Sequence, residues 1–335
     1  MESPGARRGR RARPSRRRPL LPLALAAAAV LGATAGGAAY VKARADSGSR
    51  AVSSSSSATP SASASTSQSQ SQSQSESGDE EVSVESEAAL GADRDAQLAA
   101  AMRSVTVPGE AAVSVAVLDL ASGVGAAYGG GVFETASIVK ADILAALLLR
   151  AQDEGRRLSA AEKTYATAMI ETSDNDAASA LWRTIGEAEG LDAANERLGL
   201  TRTEGGEGML WGLTRTTAAD QLTLLRQVFG DDSELSEASR TYLRGLMGRI
   251  AAGQDWGVSA AADGSSWALK NGWLPRSTTG LWVVNSIGRV GVGGRDYLVA
   301  VLSNGNATQA AGISLVEGAA KAAVSAAVRS AGAVG

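Results

Sequence analysis

The apolar residues of this chain change their period several times. From Leu20 to Val41 they run almost unbroken, and about 20 such residues suffice to cross a bilayer. Residues 46–88 are Ser, Gln and Ala repeats that end in the acidic stretch Glu76 to Glu87. With no apolar face to bury, this segment is predicted to be a disordered spacer. Periodic structure begins near Ala88. Asp93 to Met102 is predicted to be a short helix. Ala112 to Leu120 alternates as a strand does, turns at Ala121-Ser122-Gly123 and returns over Val124 to Tyr128 as a hairpin. Ser137 to Gly155 is a long apolar helix, followed by helices near 160–171 and 174–185. Residues 186–214 are rich in Gly and Glu and partly loop. Helices are predicted again over Thr216 to Phe229 and Ser233 to Ile250, strands over 266–271, 280–289 and 296–303, and an Ala-rich helix over 307–330. Strands at both ends with helices between imply an α+β fold, one antiparallel sheet assembled from both ends of the domain with an inserted helical lobe.

Charge divides the chain at the same place as hydropathy. The net charge of −3 hides +9 on the first 45 residues, eight Arg among residues 1–19 included, and −12 on the remainder. Arginines beside an apolar run mark its cytoplasmic end. Residues 1–19 are therefore expected to be a cytoplasmic tail, residues 20–45 a signal anchor or a signal peptide, and residues 89–335 an extracytoplasmic domain, membrane-anchored or secreted. Cleavage would fall after Ala43-Arg44-Ala45. The length of the run and the two charges that follow it favour an uncleaved anchor, with residues 20–41 in the membrane. The acidic remainder argues against a nucleic-acid partner, because phosphate binding needs a basic surface.

Two absences narrow the chemistry further. Without cysteine there are no disulfides, thiol nucleophiles or thiolate metal sites. Without histidine there is no Ser-His-Asp triad and no histidine-bound zinc. A hydrolytic base must come from Lys, Asp, Glu or Tyr.

Three short motifs meet that requirement. Ser137-Ile138-Val139-Lys140 puts a hydroxyl and an amine three positions apart at a helix start, on one face, and a desolvated neutral Lys can take the hydroxyl proton. Ser173-Asp174-Asn175 stands at another helix start, where capping alone would explain it. Lys270-Asn271-Gly272 lies on a late strand, where an interior Gly often marks a close backbone approach by a ligand. Each has an ordinary structural explanation in isolation. Their order, however, resembles class A β-lactamases and penicillin-binding proteins, over roughly residues 93–330.

The resemblance implies a β-lactamase/transpeptidase-like fold and a serine hydrolase acting through an acyl-enzyme on β-lactams or related cell-wall amides. By that likeness Ser137 attacks, Lys140 takes its proton, and Ser173, held near Lys270, protonates the leaving nitrogen. The backbone N–H groups of Ser137 and Trp273 form the oxyanion hole. Asn175 binds the substrate amide, and the Lys270 strand pairs with the substrate backbone while Gly272 leaves it room. The family implies neither metal nor cofactor, and a small-molecule β-lactam or a cell-wall peptide as partner.

Three departures bear on that expectation. Asn271 replaces the usual Thr or Ser whose hydroxyl binds the substrate carboxylate, so its amide N–H is expected to substitute, with Arg276 as a neighbouring cation. Ser137 and Ser173 are close in sequence, which implies a shortened helical lobe. The Glu-x-x-Leu-Asn segment that activates the deacylating water is missing before Thr214-Arg215-Thr216-Thr217. Glu204 and Glu207, in the preceding loop, Thr201 to Met209, could either of them substitute as the deacylating acid, yet both sit among glycines that would fix a carboxylate poorly. Acylation is therefore expected to outrun hydrolysis. The alternatives are a peptidoglycan D,D-peptidase and a surface protein that binds penicillin or peptidoglycan without turnover.

Overall fold

The computed structural model describes residues 77–264 and 266–332, with side-chain surroundings from residue 89 to residue 330. The basic tail, the apolar run and most of the spacer lie outside the described residues. The first described element, α1 (Ser77–Met102), starts well before the expected Asp93 and takes in the end of the predicted spacer.

The expected hairpin is present as β1 (Ala112–Asp119) and β2 (Gly125–Tyr128). A two-residue strand β3 (Phe133–Glu134) leads into a 3-10 turn, Ala136–Ile138, and then α2 (Val139–Asp153). Ser137 thus stands in the turn before the α-helix and not in the helix itself. Helices α3 (Ala160–Glu171) and α4 (Asn175–Ile185) follow, capped by Ser159 and Asp174. α5 (Glu187–Leu198) occupies part of the stretch read as Gly- and Glu-rich loop. Left-handed glycines, Gly186 and Gly199, bound it at both ends, and Leu191, Ala194 and Leu198 give it a narrow buried stripe.

A 3-10 turn at Trp211–Leu213 precedes β4 (Arg215–Thr216), α6 (Ala218–Phe229) and α7 (Glu237–Met247). The last elements are β5 (Trp267–Pro275), β6 (Trp282–Val292), β7 (Arg295–Asn306) and α8 (Gln309–Gly332). The main sheet is antiparallel in the order β2-β1-β7-β6-β5, so both ends of the domain build it and β5 forms one edge. Tyr297 to Ser303 on β7 are all buried, as they must be if both faces of a central strand are covered. α6 and α8 each pack on β1, β6 and β7. α8 is apolar enough by composition to cross a bilayer, yet Val316, Ala319, Ala320 and Ala323 are buried in the domain core. α2 is buried along nearly its whole length, Lys140 and Asp142 included, and α3, α4, α5 and α7 pack around it.

Candidate active site

The turn that carries Ser137 is held from three sides. β3 pairs with β4, Phe133 opposite Thr216 and Glu134 opposite Arg215, and Thr135 N–H donates to the Thr214 carbonyl at 2.8 Å. From the sheet, Asn285 on β6 donates its amide nitrogen to the carbonyls of Glu134 and Thr135 at 2.9 and 3.0 Å. Its own Oδ1 accepts from Ser303 N–H at 3.0 Å. From β5, Gly272 presses on the turn so closely that a Cβ there would lie 2.6 Å from Ser137 N, 2.7 Å from Ile138 N and 2.8 Å from Thr135 O. Gly272 lies opposite Asn285 in the sheet. Ala136, the residue before Ser137, is forced into the left-handed region at φ 47°. A non-glycine residue there costs about 1–2 kcal/mol, which the three anchors must offset.

The second motif closes on the first through Lys140. Its Nζ donates to the Ser173 carbonyl at 2.7 Å, to Ser173 Oγ at 3.0 Å and to Asn175 Oδ1 at 2.7 Å. Ser173 is itself left-handed, at φ 56°, between α3 and α4. Asp174 caps α4 by accepting from Ala177 N–H at 2.7 Å. Burial lowers the Lys140 pKa to about 7, against the opposing pull of Asp174. No hydrogen bond joins Ser137 Oγ to Lys140 Nζ in the resting geometry, a contact that in such sites often tightens only with substrate present.

The third motif reaches the same hydroxyl from the sheet. Lys270 Nζ donates to Ser173 Oγ at 3.2 Å and to the Asn271 carbonyl at 2.8 Å. Burial, with the charge of Lys140 second, holds this amine well below its ordinary pKa. Ser137, Lys140, Ser173, Asn175, Lys270 and Gly272 therefore converge, and Trp273 follows Gly272 on the edge strand. Near pH 7 such a cluster offers a neutral amine, a hydroxyl bonded to two amines, and an edge strand set against a serine turn.

Asn271 departs from expectation. It faces away from Lys270 and Gly272, as strand alternation requires, and is only 1 % exposed. Its Nδ2 donates to the carbonyls of Gln254 and Trp256, both at 2.8 Å, so both amide hydrogens are already committed and none remains for a substrate carboxylate. Arg276 is drawn to Glu134 at 3.6 Å.

Glu204 and Glu207 do not join the cluster either. Both are exposed, and neither carboxylate has a hydrogen-bond partner among the described residues. Glu204 is held by its backbone, paired with Arg215. The group that covers Lys140 from this loop is Trp211, its ring centroid 5.0 Å from Nζ. The Trp211 indole N–H donates to Ser179 Oγ at 3.2 Å, and Trp182 Nε1 donates to the Gly208 carbonyl at 2.7 Å, so two indoles fasten the loop to α4. Trp211 and Asn285 belong to the site although no motif marks them. The one signal was an Asn inside the apolar run Trp282-Val283-Val284-Asn285.

Among solved structures, PBP-A superposes with a TM-score of 0.60 at 22 % identity, over 70 % of this chain and 96 % of that one. TLA-1 extended-spectrum β-lactamase gives 0.61 at 16 % identity, over 71 % and 99 %. A β-lactamase from Xanthomonas campestris gives 0.55 at 22 %, over 68 % and 95 %. At such identities the likeness establishes the fold. No curated protein matches the sequence. The family model described as beta-lactamase enzyme family matches residues 154–327, which hold Ser173 and Lys270 and begin after Ser137 and Lys140. By that match and that fold, the chain belongs to the beta-lactamase enzyme family.

Proposed function

We propose that this chain is an exported serine acyl-transfer enzyme, held outside the membrane by residues 20–41, that forms an acyl-enzyme through Ser137 and releases it slowly. The observation that carries the reading is the meeting of two buried lysines on one hydroxyl, Lys140 and Lys270 on Ser173 Oγ at 3.0 and 3.2 Å. A structural lysine gains nothing from such a site, since burying an amine beside another amine is costly. Proton transfer gives the cost a use.

Ser137 Oγ attacks the carbonyl carbon of a β-lactam or related amide, and its proton passes to neutral Lys140. The tetrahedral oxyanion is met by the backbone N–H groups of Ser137 and Trp273, on the turn and strand that Gly272 keeps in contact. The C–N bond then breaks, Ser173 supplies the proton to the departing nitrogen, and the acyl group remains on Ser137. A variant of PBP-A has been solved as an acyl-enzyme complex with penicillin G, which supports extending that intermediate to this chain.

Release requires an activated water, and no carboxylate hydrogen-bonds to Ser137, Lys140 or Ser173 among the described residues. The Trp211 ring stands over Lys140 instead. An indole cannot accept a proton from water, so the acyl-enzyme is long-lived.

The test is labelling of the full-length chain with a fluorophosphonate and with an activated aryl ester, beside Ser137→Ala, followed by peptide mapping. Label on Ser137 with a slow steady state after a burst is the expected result. Label retained in Ser137→Ala would refute the assignment.

A further inference from the structure

We infer that Gln254 is a positioning residue for the leaving-group proton, tying the turn of Ser173 to the strand of Lys270. The inference rests on the acyl-enzyme reading and adds to it a residue that no motif marks.

Ser173 is held in the left-handed region at φ 56°, a conformation that a serine leaves unless its surroundings restrain it. Its φ is the rotation away from the peptide plane that joins it to Thr172, and that rigid plane carries the Thr172 carbonyl. Gln254 Nε2 donates to this carbonyl at 3.1 Å. The backbone of Gln254 reaches the third motif at the same time. Its carbonyl accepts from Asn271 Nδ2 at 2.8 Å, as does that of Trp256, and Asn271 adjoins Lys270 on β5. Further along, Val258 N–H donates to Ser286 Oγ at 3.0 Å, and Ser286 lies opposite Asn271 in the sheet. The segment is thus fastened to β5 and β6, and one side chain runs from it to the Ser173 turn. Gln254 Oε1 is buried and has no hydrogen-bond partner among the described residues. An unpaired buried acceptor is costly, and a methionine would fill the space without that cost. The value of the amide therefore lies in its N–H.

The tie protects the longest contact in the cluster. Lys140 holds Ser173 twice, at 2.7 Å to its carbonyl and 3.0 Å to Oγ, and grips Asn175 as well. Lys270 reaches Ser173 Oγ at 3.2 Å, the far end of the range for such a bond. A small turn of the Thr172–Ser173 peptide would break that contact first and leave Lys140 in place. In the proposed reaction the C–N bond breaks with its electron pair on nitrogen, and Ser173 gives that nitrogen its O–H proton. The proton that Lys140 took from Ser137 then refills Ser173, so the step balances without a further reagent. An N–H of Lys270 beside the Ser173 oxygen stabilises the negative charge that develops there as the proton leaves. Loss of the tie should therefore slow proton donation and spare the attack by Ser137.

Acylation of Ser137 is followed by intact mass on the full-length chain with two compounds. Benzylpenicillin expels a nitrogen that must be protonated, whereas 4-nitrophenyl phenylacetate expels 4-nitrophenolate, which leaves as the anion. In Gln254→Met the lactam rate should fall about tenfold and the ester rate stay within about twofold, part of what a general acid supplies. Gln254→Glu keeps the size and loses the donor. It should shift the ratio of the two rates in the same direction, a second measurement where the first variant is unstable. Gln254→Lys restores an N–H of similar reach and should return the ratio toward the parent value. A merely structural role would lower both rates equally. Equal losses, no loss, or a ratio that Gln254→Lys fails to restore overturns the inference and leaves the acyl-enzyme reading standing. So does a parent that only the ester acylates, since no proton then needs placing. Failure of both compounds to acylate Ser137 in the parent overturns both readings together.

Discussion

Substituting Gly272 by Ala tests whether the edge strand positions Ser137, the nucleophile of the proposed mechanism. The new Cβ would lie 2.6–2.8 Å from three backbone atoms of the Ser137 turn, where ordinary contact begins at 3.4 Å. No side chain can swing aside, so the turn and the strand must part by about 0.8 Å. Overpacking of this kind costs about 1–3 kcal/mol, which for a domain of this size lowers the melting temperature by about 2–12 °C. The cost to chemistry is larger in proportion. A reacting group displaced by about 1 Å loses on the order of 100-fold in rate, and the oxyanion donors on the two segments separate by the same amount. The assay is single-turnover acylation by 4-nitrophenyl phenylacetate, with 4-nitrophenolate release followed in a stopped flow well below the melting temperature. The expected result is a folded protein that acylates about 100-fold more slowly. A Gly272→Ala protein that acylates within threefold of the parent would falsify the claim that this approach places Ser137.

Three further outcomes follow from the geometry. Burial lowers the Lys140 pKa to about 7 and Asp174 opposes it, so the acceptor form gains as pH rises and acylation should climb with a midpoint near 7, then level off. Asp174→Asn keeps an N-cap but removes the opposing charge, and the midpoint in the pH–rate profile should move down; an unchanged or raised midpoint contradicts the assignment. Asn285→Leu removes the amide that donates to the Glu134 and Thr135 carbonyls, at about 1–3 kcal/mol in all, since Thr135 keeps the Ile138 N–H at 3.3 Å. It should lower both the melting temperature and the acylation rate, the latter without a change in the pH midpoint. Asp142 is fully buried on α2, and burial raises its pKa to about 8; with its amide turned to the carboxyl, Asn195 donates to it at 3.0 and 3.3 Å. A raised pKa gives stability that is complete below the unfolded carboxylate range and is lost as pH rises through 8. Asp142→Asn should therefore melt like the parent near pH 4 and above it at pH 9, and equal melting at both would refute the burial account.

The parts of the fold that were legible in the sequence are those whose pattern is local. The β1–β2 hairpin, the capped helices α3 and α4 and the late strands follow from alternation, Ser and Asp caps and apolar period, and their bounds fall within a few residues of expectation. The helix α5 was not legible, because Glu187, Gly190 and Glu196 dilute its apolar stripe and its glycine ends read as loop. The three motifs were legible as spacing, and their convergence on Ser173 Oγ is a tertiary fact. The role of Asn271 was misread for a physical reason. A residue type says that an amide is present, whereas strand alternation and the carbonyls of Gln254 and Trp256 decide where it points. Trp211 escaped notice because no periodicity distinguishes an indole that packs in a core from one that lies over an amine.

The shared hydroxyl also gives the proposed mechanism a proton route that needs no histidine. A serine Oγ has two lone pairs and one proton. Lys140 and Lys270 both reach it, at 3.0 and 3.2 Å. The two amines sit no further apart than those two hydrogen bonds laid end to end, and each is buried. Two full charges at that separation repel strongly where water is excluded, so the pair resists carrying more than one. In the proposed mechanism, a proton taken from Ser137 would raise the energy of the cluster until Ser173 passed one on to the leaving group. Histidine would supply one site that both accepts and donates. In the proposed mechanism acceptance falls to Lys140 and donation to Ser173, and the repulsion between the lysines favours the transfer from one to the other.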